Sequence, residues 1–487
     1  MSKFSEKIDN LIDESGENVQ SLARIGNFNR TTLQRVKTGE RLPTRAFLRE
    51  LCETLRLSTA EEAELYELYE IQKLGAQRYN NRQKIVALIE TITELTEQEI
   101  QFSKEMSKTE SRQIRVDCPV TQTIFTDEIA VLESVRNAID RELFNTGVPQ
   151  IRMFIAGEKE PVYDHIFQQL MGNKKSLILE DVVHMPRVSD GSATDKYLST
   201  LKYLISISIL KNVSYQSNYA YYEAGEIEHS ALFPYYILTS DRTLTISADF
   251  KRLVIYEDAS IHKLYLDDFA SLQEKTGAFI IESRDLYKIF GMDQFRVTHQ
   301  LMNALPAIGL YFTREMIEAK INQELPYYEL FQDAVVSTYA QLQKGKSTMT
   351  TYFSLDYLRG FISGQCIFFP PDICHPFTRE EGVTFLKKTR DDLAAGAIKA
   401  YAMSDKLYAN YGFFEILLTD EAIRLVLHYE DAEAVIFKAI ELKEERIIDL
   451  FADFFMDLPD SDYVLTRKET IAQLDAMIDD FDQAGCA

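Results

Sequence analysis

Cysteine and histidine side chains are the first candidates for chemistry, because they bind metals and act as nucleophiles or bases. Cys366, Cys374 and His375 lie close together in the sequence, but a zinc site needs four ligands in tighter pairs. The other histidines are dispersed, and no Gly-rich phosphate loop or Gly-x-Ser-x-Gly motif occurs. The sequence therefore predicts no metal site, no cofactor and no catalytic residue, and we expect that the chain is not an enzyme.

A second candidate is a basic and polar run between residues 29 and 45. Residues 24–56 hold eight Lys or Arg and three Asp or Glu, a net charge of +5, whereas the whole chain carries −23. Lys and Arg bind phosphates, and Arg and Thr read base edges in the major groove of DNA. The predicted DNA-binding residues are Asn29, Arg30, Thr31, Thr32, Gln34, Arg35, Lys37, Arg41 and Arg45.

Short helices must position this run. The spacing of apolar residues predicts five helices in residues 1–75, with Asn29 as the N-cap of the third. Gly26 lies in the tight turn before that helix. Leu33 and Val36 face one way and leave the polar side chains outward. Two short helices joined by a tight turn, the second of them basic, are typical of a helix-turn-helix.

These residues resemble the lambda-repressor-like, or XRE, family of helix-turn-helix regulators. The resemblance rests on Leu22-Ala23 and on residues 29–43, NRTTLQRVKTGERLP. It implies that the third helix enters the major groove with its N-terminal side chains on base edges. Gly26 stands where the family has a large aliphatic residue, and we expect Ile25 to fill that space. The alternatives are a solvated face of a small bundle and a helix-turn-helix that binds protein.

Residues 79–113 contain neither Pro nor Gly and are predicted to form a linker helix. Apolar residues recur along it at intervals of three and four, as in a heptad repeat. β-branched residues occupy the first core position and Leu the second, which favours a parallel two-stranded coiled coil. The alternative is that this stripe packs on the core of its own chain. The predicted dimerisation residues are Ile85, Leu88, Ile92, Leu95, Phe102 and Met106.

The remaining chain alternates strands and helices, clearest in a strand over 150–156 and a helix over 379–395. Residues 287–360 are mixed in pattern. A succession of strand, acidic turn, two strands and helix occurs over 236–272 and again over 416–458. It indicates either a diverged duplication or two uses of a common unit.

This order resembles, faintly, the duplicated phospholipase D-like fold that some regulators use as a sugar sensor. The His-x-Lys signature of that fold is not present; the nearest text has His262 and Lys263 adjacent. The resemblance therefore implies an inactive hydrolase.

The predicted fold is multidomain. An all-α helix-turn-helix domain (1–75) and the linker helix (79–113) precede an α/β (α+β) region, with lobes at 114–290 and 291–487. A tyrosine-rich stretch in the first lobe predicts a ligand pocket, since tyrosine offers apolar area and a hydroxyl group. The alternative is core packing. The candidate ligand residues are Tyr215, Tyr219, Tyr222, Tyr235 and Tyr236.

These features predict a bacterial transcription regulator. A homodimer would bind a double-stranded DNA operator, and the large region would sense an unknown small-molecule or peptide effector and control binding allosterically. Five scattered cysteines fit a reducing cytoplasm, and no apolar run long enough to span a membrane occurs, so we expect no membrane partner. The alternatives are a nucleotide- or phosphodiester-acting enzyme with a recruiting helix-turn-helix, and a protein-interaction scaffold.

Overall fold

The computed structural model describes residues 2–106, 124–145, 147–157, 159–171, 176–187, 191–222, 232–285, 289, 300–344, 348–365, 373–407, 414–430 and 435–484. It divides into two compact units, Met1–Ile85 and Val86–Ala487. Among the described residues, no helix combines the length and the apolar character needed to cross a bilayer.

The N-terminal unit contains five complete helices, each of which begins at a capping side chain, and the first residues of a sixth helix. Ser2, Asn18, Asn29, Thr44 and Ser58 each accept a hydrogen bond from a backbone N–H of the first turn, as N-cap residues do. The cap predicted at Asn29 is confirmed. The helices are α1 (Lys3–Glu14), α2 (Val19–Ile25), α3 (Arg30–Lys37), α4 (Arg45–Leu55) and α5 (Thr59–Leu74).

The turn between α2 and α3 is packed differently from the expectation. Ile25 is 58% exposed, so the prediction that it fills the space beside Gly26 is wrong. The ring of Phe28 covers Gly26 instead, and a Cβ at position 26 would lie 2.2 Å from Phe28 Cε2. Asn27, with φ 54°, is the left-handed residue of this turn. Gly26 is therefore needed because it has no side chain.

We expect Gly26→Ala to destabilise the N-terminal unit by about 1–3 kcal/mol, the usual cost of overpacking. Hydrogen exchange of the α3 segment in the intact protein, followed by mass spectrometry, reports the opening of this unit. Ile25→Ala is the control and should change protection by less than about 0.5 kcal/mol, since Ile25 is exposed. Equal protection in Gly26→Ala and the unchanged protein would contradict the contact between Gly26 and Phe28.

The second unit combines helices with one mixed sheet of 14 strands. The helix α6 (Ala76–Met106) contains the division between the units. The other helices are α7 (Glu128–Asn145), α8 (Glu160–Met171), α9 (Gly191–Ile209), α10 (Ala259–Lys275), α11 (Arg314–Lys320), α12 (Tyr328–Lys344), α13 (Leu355–Ile362), α14 (Arg379–Ala395), α15 (Glu445–Asp457) and α16 (Arg467–Ala484), with 3-10 turns at Ile308–Tyr311 and Leu458–Asp460.

The 14 strands of the sheet all belong to the second unit. They are β1 (Ile124–Phe125), β2 (Gln150–Ala156), β3 (Leu177–Pro186), β4 (Val213–Tyr222), β5 (Tyr235–Leu238), β6 (Thr243–Ile246), β7 (Leu253–Tyr256), β8 (Gly277–Ser283), β9 (Gln300–Asn303), β10 (Thr350–Phe353), β11 (Lys399–Ala402), β12 (Phe414–Leu418), β13 (Ile423–Glu430) and β14 (Val435–Leu442). Mixed α/β content is thus confirmed.

The order of strands in the sheet contains one arrangement twice. The order is β1-β7-β6-β5-β2-β3-β4-β8-β14-β13-β12-β9-β10-β11. The six strands β7-β6-β5-β2-β3-β4, the first repeat, therefore correspond in order to β14-β13-β12-β9-β10-β11, the second repeat, and β8 joins them. The lobe boundary at 290 stays a prediction.

The registers of the two repeats also correspond. Leu238 on β5 lies opposite Arg152 on β2, and Leu418 on β12 lies opposite Gln300 on β9. All five pairings from β4 through β8, β14, β13 and β12 to β9 are antiparallel. The parallel strands of the second repeat consequently run in the direction opposite to those of the first.

Candidate functional site

One surface of the N-terminal unit carries most of the predicted DNA-binding residues. Leu33 and Val36 are fully buried and fix the rotation of α3 about its axis. The opposite side of α3 and the turn after it are exposed. The predicted DNA-binding residues that are exposed there form the α3 surface, which consists of Arg30, Thr31, Gln34, Arg35 and Arg41.

The three arginines of the α3 surface are available for a ligand. Within residues 2–85, the guanidinium groups of Arg30, Arg35 and Arg41 make no hydrogen bond or ion pair. Asn29 has a structural task, since its Oδ1 accepts a hydrogen bond from the backbone N–H of Thr32 at 3.1 Å. The side chain of Thr32 is half-buried at the edge of this surface.

Lys37 and Arg45 make contacts inside the unit. Lys37 Nζ lies 2.6 Å from Asp9 Oδ1 and also contacts Asp13, and the hydrogen bond to Asp9 raises the pKa of Lys37. Arg45 Nη2 lies 3.7 Å from Glu70 Oε1. These contacts attach α3 to α1 and α4 to α5. We therefore leave Lys37 and Arg45 out of the α3 surface.

The predicted dimer seam on α6 is largely buried in the single chain. Its residues with a described side chain are at most 7% exposed, namely Ile85, Leu88, Ile92 and Leu95. Val86 and Ile89 are buried as well, so the covered surface is wider than a two-stranded seam. This burial favours the alternative of packing on the chain's own core. The side chains of Phe102 and Met106 lie outside the described residues.

Two of the five candidate tyrosines are buried and hydrogen-bonded to carboxylates. Tyr215 is buried and donates a hydrogen bond to Asp181 Oδ2 at 2.9 Å, while Tyr163 donates to the same oxygen at 2.8 Å. Burial raises the pKa of Asp181 to about 6, although these hydroxyl groups favour the charged form. Tyr236 is likewise buried and donates to Asp268 Oδ2 at 2.9 Å.

The other candidate tyrosines pack against aromatic neighbours. The ring centroids of Tyr222 and Tyr235 lie 4.6 and 6.0 Å from that of His184, and Tyr219 packs 6.2 Å from Phe279. The cluster therefore favours the alternative of core packing. Tyr222, Tyr235 and His184 do gather at the carboxyl edge of β2, β3 and β4.

The other histidines and cysteines whose contacts are described have ordinary structural partners. His165 Nε2 is 2.7 Å from Asp140 Oδ1, and His262 Nδ1 is 3.1 Å from Thr243 Oγ1. Cys374 is buried, which raises the pKa of its thiol to about 11. Cys366 falls outside the described residues. The described part of the chain contains no group of three metal-ligating side chains.

The second repeat contains a cavity of about 130 Å³ that the sequence did not reveal. Apolar side chains form most of its wall, and Asn303, Glu415 and Arg424 form a polar end on the sheet. Asn303 Nδ2 donates a hydrogen bond to Glu415 Oε2 at 2.9 Å. The available signal was the two charged residues inside otherwise apolar strand sequences, FEILL and IRLVL.

Comparisons with known proteins place few constraints on this chain. No protein-family model and no curated protein matches it. Among solved structures it is similar to polyphosphate kinase from Porphyromonas gingivalis, at 8% identity, over 77% of this chain and 58% of that chain, with a TM-score of 0.22. The faint resemblance of the sequence to the phospholipase D-like fold stays a prediction. At this TM-score the match supports no argument about residues or substrate.

The match nevertheless corrects one expectation. We expected that the chain is not an enzyme, and the matched protein is a kinase. That expectation is withdrawn. No activity is transferred to this chain, because the aligned part spans only 58% of the kinase.

Proposed function

We propose that the N-terminal unit binds double-stranded DNA through the α3 surface, and that the chain regulates transcription. The observation that carries this proposal is a set of three arginines, Arg30, Arg35 and Arg41, on and beside a capped helix, whose guanidinium groups have no partner among the described residues. Exposed guanidinium groups on a rigid helix suit the docking of that helix in a major groove. The predicted homodimer and effector belong to the same proposal.

Charge supports this surface over the rest of the chain. Residues 24–56 carry a net +5, while the full chain carries −23. Phosphate binding releases counterions and needs clustered Lys and Arg, so an acidic body is repelled by DNA. The N-terminal unit is thus the favoured contact with DNA.

The residues of the α3 surface fall into two roles. Arg35 lies on the exposed side of the helix and can pair with the O6 and N7 atoms of guanine, and Thr31 can contact a thymine methyl group. Arg41, in the turn after α3, is suited to a phosphate, which orients the protein without specifying sequence. Loss of Arg35 should therefore change specificity, and loss of Arg41 should weaken binding to every sequence.

We expect Arg35→Ala to weaken binding to the preferred duplex about 10- to 100-fold, the value of one bidentate base contact. The preferred duplex is selected by the intact protein from genomic fragments, and affinity is measured by fluorescence anisotropy at fixed salt. Arg41→Ala should weaken binding to preferred and random duplexes alike and reduce the slope of affinity against salt.

Lys73→Ala is the matched control, because it removes one positive charge from an exposed position of α5. It should leave the preference between the two duplexes unchanged. Equal preference in Arg35→Ala and the intact protein would contradict the assignment of α3. Absence of any DNA affinity in the intact protein would favour the scaffold alternative.

A second candidate is an enzyme that acts on nucleotides or phosphodiesters. Ligands of α/β sheets bind outside the carboxyl ends of the strands. At the carboxyl edge of β2, β3 and β4, His184 is half-buried among the rings of Phe154, Tyr222 and Tyr235. A screen for phosphate release from nucleotides and polyphosphate tests this candidate.

A further inference from the structure

The cavity of the second repeat lies between one face of the sheet and the connection from β9 to β10. Asn303, Glu415, Leu417, Arg424 and Val426, from β9, β12 and β13, form its floor. The 3-10 turn at 308–311, α11 and α12 supply its roof. The cavity is therefore built within a single repeat.

The first repeat has buried side chains at the positions that correspond to the polar end of the cavity. Through the shared registers, Tyr235 on β5 corresponds to Glu415, and Leu244 on β6 corresponds to Arg424. The pair Phe154–Tyr236 corresponds to the pair Met302–Ile416. The residue that follows on each first strand, Ile155 on β2 and Asn303 on β9, therefore also corresponds. Ile155, Tyr235 and Leu244 are buried in a packed core. The second repeat thus carries an amide, a carboxyl and a guanidinium group where the first carries Ile, Tyr and Leu side chains.

The roof of the cavity is an elaborated connection. In the first repeat, the 20 residues 157–176, which contain α8, join the two corresponding strands, whereas the 46 residues 304–349 join β9 to β10. Gly309 allows Tyr339 to reach the cavity, since a Cβ at 309 would lie 2.1 Å from Tyr339 Cε1. Lys320 fixes the wall through Glu381, at 2.8 Å. The opening is therefore held by specific contacts.

The polar end of the cavity carries little net charge. Burial raises the pKa of Glu415 to about 7, and the positive charge of Arg424 lowers it. The guanidinium charge of Arg424 is compensated by Glu441 and by the ionised form of Glu415. A charged ligand group would thus enter a desolvated site with no unbalanced partner, at a high cost in solvation. A neutral hydroxyl or amide group can instead share hydrogen bonds with Glu415.

We propose that this cavity binds an uncharged, largely apolar small molecule whose single hydrogen-bonding group lies against Glu415 and Arg424. Its size supports a ligand of about one aromatic ring, because an engineered apolar cavity of about 150 Å³ in another protein binds benzene. Aromatic side chains at Phe312, Phe331 and Phe377 complement such a ring. The proposal does not depend on DNA binding.

The test compares p-cresol with toluene, which differ by one hydroxyl group. Binding of each to the intact protein is measured by titration calorimetry. We expect p-cresol to bind about tenfold more tightly than toluene, the effect of one added hydrogen bond. No binding of p-cresol would overturn the site, and equal affinities would overturn the role of its polar end.

The location of bound p-cresol is tested with a pair of variants on α12. Val335 lines the cavity, whereas the next residue, Val336, is not part of the lining. Val335→Phe should fill the cavity and reduce p-cresol affinity at least tenfold, and Val336→Phe should leave it within about twofold. Binding that survives Val335→Phe would place the ligand elsewhere. If Val335→Phe does not fold, Leu342→Phe fills the same cavity from the next turns of α12.

Discussion

Replacing Lys438 by methionine is expected to lower the free energy of unfolding of the second unit by about 3 kcal/mol. The side chain of Lys438 is 1% exposed, and its ammonium donates hydrogen bonds to the carbonyl oxygens of Leu210 and Val213, each at 3.0 Å. It also lies 3.1 Å from Glu282 Oε2. Methionine would remove one donor from each of these buried acceptors and the positive charge beside Glu282. Each acceptor keeps a second donor: the N–H of Val213 for Leu210, Arg284 for Val213 and the N–H of Tyr215 for Glu282.

The size of this loss of stability depends on how the remaining charge of Glu282 is compensated. Removal of one partner of a buried ion pair costs about 3–5 kcal/mol, because the other charge is left uncompensated. Arg284 Nε lies 3.0 Å from Glu282 Oε1, so part of the compensation is retained. We therefore expect the lower end of that range.

Urea-induced unfolding, followed by circular dichroism because the chain has no tryptophan, measures this loss. Lys443→Met is the control. Lys443 directly follows β14, the strand of Lys438, and forms a more exposed ion pair with Glu441. Exposed pairs contribute about 0–1 kcal/mol. A midpoint for Lys438→Met equal to that of Lys443→Met would show that the buried pair contributes little.

The second large effect is expected for Glu444→Ala, at about 3 kcal/mol of unfolding free energy. Glu444 is fully buried and caps α15, where its Oε2 accepts a hydrogen bond from the N–H of Ile447 at 3.0 Å. Its Oε1 accepts from Arg446 Nε at 2.6 Å and from the hydroxyl of Tyr221. A lost N-cap costs about 1 kcal/mol, and hydrogen bonds to a buried charge contribute about 1.5–3 kcal/mol.

Two further variants separate these contributions in the same urea experiment. Glu444→Gln keeps an acceptor for the cap but removes the charge that faces Arg446, so its loss should be smaller. Glu445→Ala removes an exposed carboxylate from the first turn of α15 and should cost less than about 1 kcal/mol. If Glu444→Ala is no worse than Glu445→Ala, the cap is not a major source of stability.

Local signals predicted the elements that depend on local interactions. The strand at 150–156 and the helix at 379–395 have the predicted bounds, because an apolar run and a capping sequence define them within a few residues. The cap at Asn29 belongs to the same class. The exposed side of α3 followed from the burial of Leu33 and Val36.

Contacts between distant residues could not be predicted in this way. The spacing of Ile85, Leu88, Ile92 and Leu95 describes a buried stripe but does not say which surface covers it. Closeness in sequence groups the tyrosines of β4 and β5, yet Tyr215 is buried in the core, whereas Tyr222 at the end of β4 is half-buried.

The cavity lies where the sequence was least informative. Residues 287–360 showed no clear pattern, and they contain β9, α11, α12 and β10. Their short strands have four residues each, too few for a clear alternation. The pairing of Asn303 with Glu415 joins residues that are far apart in sequence, and only the sheet register brings them together.

The opposed direction of the two sets of parallel strands limits how the repeats can cooperate. In an α/β sheet, ligand sites form beyond the carboxyl ends of the parallel strands. These ends point to one edge of the sheet for β2, β3 and β4, and to the other edge for β9, β10 and β11. Corresponding side chains at these ends therefore cannot converge at a common edge, and each half of the sheet can acquire or lose a ligand independently of the other.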